Sequence, residues 1–175
     1  MNIAHFCRQA AVAALLAVMA PAAAAHPGAS PESRVSVRYD HPQSFAEARS
    51  VGSSFVLDRD AWLGTLKAYI EKRAARDVPP GQHLDITITD VKLAGNYEPW
   101  LGPQLDDVRI VRDIYPPRID LDFKLVGADG TVLREGSRKL RNAAFMYSAS
   151  ANDQDSLRYE KALIDRWLRK GTDAL

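Results

Sequence analysis

Six charged residues are spaced so that they could meet at one corner of a sheet: Asp90, Arg109, Arg112, Asp113, Arg118 and Asp120, gathered about Tyr115, Pro116 and Pro117. Brought together, they would line a groove for a polar ligand with ion pairs. Left apart, they would be ordinary salt bridges pinning an irregular connection, and exposed pairs of that kind are common and worth little each. Just upstream, the stretch from Asn96 to Pro103 sets aromatic residues among prolines. Prolines restrict the chain, so Tyr97, Glu98 and Trp100 would meet a partner with little entropy left to lose. The competing and heavier expectation folds Trp100 back onto the core as a lid, because an indole buries a large area.

The search for catalytic patterns returns little. The chain has no G-x-S-x-G elbow, no H-E-x-x-H and no phosphate loop. Carboxylates around Asp90 and Asp120 have the acid–base capacity of a small hydrolase, which is the catalytic alternative. A second alternative is copper or zinc at His26, whose imidazole and terminal amine would chelate a metal after removal of a leader. Neither His41 nor His83 stands at a ligand spacing to complete such a site. The expectation is therefore no catalytic residue, no metal and no cofactor. Arg134, Arg138, Lys139 and Arg141 form a basic run without interleaved aromatics, hence without a platform for stacking bases.

The elements that must position these residues are legible as periodicities. Val35, Val37 and Tyr39 alternate in a first strand; Ser44 to Glu47 has the capping-box pattern of a short helical turn. Trp62, Leu63, Leu66, Ile70 and Ala74 form one stripe of a helix expected over 58–77, with Lys67 and Glu71 on its solvated side. Leu84, Ile86 and Ile88 alternate until Asp90, where the apolar parity shifts to Val91 and Leu93, as at a bulge. Residues 95–107 read as a loop and Val108 to Val111 as a short strand. Ile119 to Leu125 alternate cleanly, Gly127 to Gly130 is a hairpin signal, and 131–140 should return as a charged edge strand. A last helix is expected over 155–170, with Leu157, Leu163, Ile164, Trp167 and Leu168 inward. The order β-α-β-β-β-α predicts an α+β two-layer sandwich: a mainly antiparallel four-stranded sheet with two amphipathic helices on one face.

The first 25 residues read as a secretory signal, with Arg8, an apolar run from Ala10 to Ala20, and Ala23 to Ala25 as a small-residue cleavage site. Its removal takes Cys7 and leaves 150 residues, one domain's worth, with 22 basic and 22 acidic side chains. Residues 26–33, rich in Pro, Gly and Ser, read as a flexible leader to a single domain over 34–171. Alanines stand where a lipoprotein needs its cysteine. The product expected is a soluble periplasmic protein without a transmembrane segment. Its neutral charge gives no reason to expect nucleic acid as a partner.

Asp85 to Gly95, Glu98 to Trp100, Val108 to Asp120, Gly130, Glu135 and Gly136, Leu157 to Lys161, and Trp167 occur in an order that resembles the bacterial family called domain of unknown function 3016. The resemblance implies an exported protein with no assigned activity and no catalytic residues to carry over. By order of elements the chain is also similar to small envelope-assembly proteins such as the lipopolysaccharide-transport lipoprotein, which is an analogy of fold. The reading that results is a non-catalytic binding or envelope-assembly accessory module. Its partner would be an envelope protein or polymer, bound at Tyr97, Glu98, Trp100, Asp90, Arg109 and Arg118.

Overall fold

Alternation at period two builds the central strands. In β2 (His83–Lys92) Leu84, Ile86 and Ile88 are buried; β5 (Arg118–Val126) repeats the pattern with Ile119, Leu121, Phe123 and Leu125. The computed structural model describes residues 34–50, 56–106, 108–148, 153–169 and 171. Residues 1–25, read above as a secretory signal, and 26–33, read as a leader, with Cys7 and His26, lie outside the described residues.

One sheet has the strand order β1-β2-β5-β6, with β1 at Val35–Tyr39 and β6 at Val132–Arg141; β2–β5 and β5–β6 pair antiparallel. β1 lies parallel to β2, so the sheet is mixed where the sequence predicts a mainly antiparallel one. The long helix α2 (Val56–Ala74) explains the difference. It carries the chain back to the end where β1 began, so the neighbouring strand runs in the same direction. Helices α2 and α3 (Arg158–Leu168) share one apolar core with the buried face of the sheet, in an α+β arrangement.

The helix ends differ from the periodicity. α2 stops at Ala74 rather than 77, since Ala75 and Val78 turn inward and are buried. α3 begins at Arg158 rather than 155. Asp155 stays ahead of it, accepting the Leu157 N–H at 2.8 Å and pairing with Lys161. Lys67 and Glu71 do more than face water. Glu71 accepts the Val37 N–H at 3.2 Å and Lys67 donates to the Val37 carbonyl, so α2 occupies part of the outer edge of β1. That edge would otherwise present unpaired backbone.

The parity shift is a register irregularity between Ile88 and Asp90, and Gly127 to Thr131 closes the β5–β6 hairpin through a 2.8 Å bond from the Gly127 N–H to the Thr131 carbonyl. β6 is an exposed edge strand. The stretch read as a loop is more ordered than expected. β3 (Asn96–Tyr97) pairs antiparallel with β4 (Arg109–Ile110), and two short 3-10 turns, Pro99–Leu101 and Pro103–Leu105, lie between them.

Gly95 is the pivot between β2 and β3. Its φ is +84°, and a Cβ there would lie 2.8 Å from the Ile110 carbonyl oxygen. Gly130 in the hairpin has a similar φ of +82° but no atom within 4 Å of that position. Gly130→Ala should therefore cost about 1 kcal/mol and Gly95→Ala about 2–4 kcal/mol, the excess coming from the collision with backbone. Urea unfolding of both variants checks this; equal losses would contradict the close approach.

Candidate functional site

The last residues of β2 and those that follow leave the sheet while still buried. Leu93, Ala94 and Gly95 are all covered, so their N–H groups need acceptors inside the protein. Leu93 donates to Glu47 at 3.0 Å, Ala94 to Glu160 at 2.7 Å and Gly95 to the Tyr115 carbonyl at 3.0 Å. Glu47 comes from α1 (Ala46–Ser50) and Glu160 from the first turn of α3. α1 is itself seated by the bulge, because Asp90 accepts the Ala46 N–H at 2.6 Å.

The capping-box reading of Ser44 and Glu47 is corrected here. The Ser44 hydroxyl donates to the His41 carbonyl at 2.8 Å, and Glu47 turns inward, only 3% exposed. Phe45 is buried beside it, which fixes the direction in which this short helix faces.

A buried carboxylate needs compensation, and Glu47 has two cations. Lys92 Nζ lies 3.0 Å from Oε2, and Arg109 pairs with Oε1. Burial opposes ionisation of Glu47, but the hydrogen bond and charge of Arg109, with those of Lys92, hold its carboxyl below the usual carboxylate range. Glu160 is 1% exposed and lacks such a pair. Burial pushes its pKa up, against the hydrogen bond from the Ala94 N–H, and its Oε2 has no hydrogen-bond partner among the described residues.

The Arg109 guanidinium also lies 4.8 Å from the centre of the Tyr97 ring and donates to the Tyr97 hydroxyl at 3.3 Å. Glu98 follows, 1% exposed, accepting a hydrogen bond from the Tyr115 hydroxyl at 2.8 Å and pairing with Arg112 at 2.8 Å. Pro99 then opens a 3-10 turn that carries Trp100 outward, 68% exposed. The expectation that Trp100 folds back as a lid is wrong: the buried Glu98 anchor faces the neighbouring residues away from the core. Leu101, Val108 and Ile114 are exposed as well.

Of the residues singled out in the sequence, Tyr97 and Arg109 meet at the root of this loop, Glu98 is held there by Tyr115 and Arg112, and Trp100 stands at its tip. Asp90 serves α1, and Arg118 lies on the next strand opposite Lys92. Asp90 and Asp120 are cross-strand partners, with Asp120 paired to Arg141 at 2.6 Å. His41 and His83 stand apart, each beside an aspartate, Asp40 and Asp85. The open sheet face also carries a shallow groove of about 670 Å³, lined by Arg38, Asp85, Asp122, Lys124 and Glu135 among others. Sequence reasoning missed Glu47, Lys92 and Glu160. Glu160 carried a signal: three residues after Leu157 and four before Ile164, it sits on the apolar stripe of its own helix.

The two carboxylates should respond oppositely to substitution and pH. Glu47→Gln leaves Arg109 and Lys92 without their counter-charge and should cost about 3–5 kcal/mol. Glu47, with a lowered pKa, stabilises the fold above its unfolded value, and that contribution is lost as pH falls through the folded one. Glu160, with a raised pKa, contributes fully below its unfolded value and loses that contribution as pH rises through the folded one. Glu160→Gln should therefore gain on the wild type as pH rises above the ordinary glutamate range in chemical denaturation. A stability difference that stays constant over that rise would contradict the raised pKa.

No curated protein matches the chain. The family described as protein of unknown function (DUF3016) matches residues 33–170, which include every element of this site, and the chain belongs to that family.

Proposed function

We propose that the protein is an exported, periplasmic binding module that captures an envelope protein or polymer through the loop from Asn96 to Pro103, without carrying out chemistry on it. The observation that carries this reading is the contrast within the loop. Glu98 is held at 1% exposure by two partners, while Trp100, two residues on, is 68% exposed. A large apolar side chain held in water by a stiff support is a contact anchor that loses little freedom on binding. Exposed Leu101, Val108 and Ile114 on the flanking segments add apolar surface.

Export rests on the composition of residues 1–25. The non-catalytic reading is supported by the duties of the carboxylates: Asp90 binds backbone of α1, and Asp120 pairs with Arg141.

Cross-linking in the native periplasm, comparing wild type with Trp100→Ala, tests the proposal. Loss of an anchor tryptophan costs about 2 kcal/mol of binding, so partner yield should fall roughly thirtyfold at limiting concentration. Because the indole is exposed, the thermal midpoint should stay within about 2 °C of wild type. Undiminished capture, or unfolding of the variant, would count against the loop as the binding site.

A further inference from the structure

Among the described residues Arg118 has no counter-charge. It lies directly opposite Lys92 on β2 and Arg141 on β6, so three cations stand side by side across three adjacent strands, on one face of the sheet. Adjacent strands are about 4.8 Å apart, and like charges placed opposite one another destabilise a sheet. The outer two are compensated. Lys92 has Glu47, and Arg141 has Asp120 together with the carbonyl oxygens of Ile119 and Leu140. The Arg118 side chain has neither an ion pair nor a hydrogen bond among the described residues, and its Nε is buried without an acceptor.

The surroundings do not make up the deficit. Glu47 is shared between Lys92 and Arg109. In the next row along the sheet, Asp90 and Asp120 stand opposite each other and beside Lys139, and Asp90 is already engaged by the Ala46 N–H. Glu160 is driven towards its neutral form by burial. Lys92, Arg109, Arg118, Lys139 and Arg141 thus outnumber the carboxylates Glu47, Asp90 and Asp120 that stand among them. Burial lowers the Lys92 pKa, and the charges of Arg109 and Arg118 lower it further against the pull of Glu47.

We propose that Arg118 is the central residue of an oxyanion site that takes a phosphate group, free or as the monoester of a small molecule, with Lys92 and Arg141 flanking it. The two terminal Nη groups of a guanidinium form a two-donor edge that matches two phosphate oxygens, and the buried Nε leaves that end of the side chain as the one presented to a ligand. A phosphate near neutral pH carries about 1.5 to 2 negative charges, more than a carboxylate, and so suits a place where cations outnumber carboxylates. This site stands on observations separate from those at Trp100.

Calorimetric titration of the purified full chain with inorganic phosphate, at low and constant ionic strength with chloride as the control anion, tests it. Saturable binding is expected for the wild type, about tenfold weaker in Arg118→Gln and intermediate in Arg118→Lys, which keeps the charge but loses the two-donor edge. Thermal unfolding without phosphate separates a binding role from a structural one. Arg118→Gln should unfold no earlier than wild type, because it removes a repulsive cation, and added phosphate should raise the midpoint of wild type more than that of the variant. Glycerol phosphate binding more tightly than inorganic phosphate would identify a monoester as the ligand, and equal or weaker binding would identify free phosphate. Equal phosphate affinity in wild type and Arg118→Gln, or a variant that unfolds several degrees earlier in phosphate-free buffer, would overturn the proposal.

Discussion

Three consecutive backbone N–H groups, those of Leu93, Ala94 and Gly95, lose the sheet before they reach water. A buried donor left without an acceptor costs about 1–3 kcal/mol, so the chain cannot leave β2 here unless other segments come to meet it. Two helices and a returning loop do so, through Glu47, Glu160 and the Tyr115 carbonyl. Each acceptor then imposes a further requirement. Glu47 is charged and buried, so Lys92 and Arg109 must reach it; Arg109 belongs to β4, so β4 must lie against β3. Gly95 allows that approach because it has no Cβ to strike the Ile110 carbonyl.

The same requirements determine what reaches the surface. With Tyr97 held under Arg109 and Glu98 buried against Tyr115 and Arg112, the residues after Pro99 have only the outward direction left. The loop is therefore stiff at its root and apolar at its tip. The charge balance around the root is tight for Glu47 and loose for Arg118, on the same end of the sheet. Membership of the family of proteins of unknown function adds no chemistry to either feature. Both stand on the geometry of this chain.

Much of the scaffold was legible in the sequence because it rests on periodicity. The clean alternation from Ile119 to Leu125, the parity shift at Asp90, the glycine-bounded hairpin and the apolar stripes of both long helices are local signals. The parallel pairing of β1 with β2 depends on which strand becomes its neighbour, and that is a long-range outcome. The site was legible in part. Tyr97 and Arg109 do meet, but the residues that organise the exit of β2, Glu47 and Glu160, come from positions 46 and 66 residues distant from their backbone donors. Glu47 looked like half of a capping box because a glutamate three residues after a serine satisfies that pattern; burial of Phe45 turned it inward instead. The outward Trp100 was misread because the large area of an indole favours burial, and the buried neighbour that prevents it, Glu98, is of a type usually found on the surface.

The central claim is that the carboxylates of Glu47 and Glu160 lock the exit of β2, and amide hydrogen exchange of Leu93 and Ala94 tests it most directly. Amides bonded to buried acceptors open only with global unfolding, so both should exchange as slowly as the amides of Ile86 and Ile88 at the centre of the sheet. If instead they exchange as quickly as the amides of the 3-10 turn at Pro99–Leu101, the exit is a fraying strand end, and it cannot be what holds the loop in place.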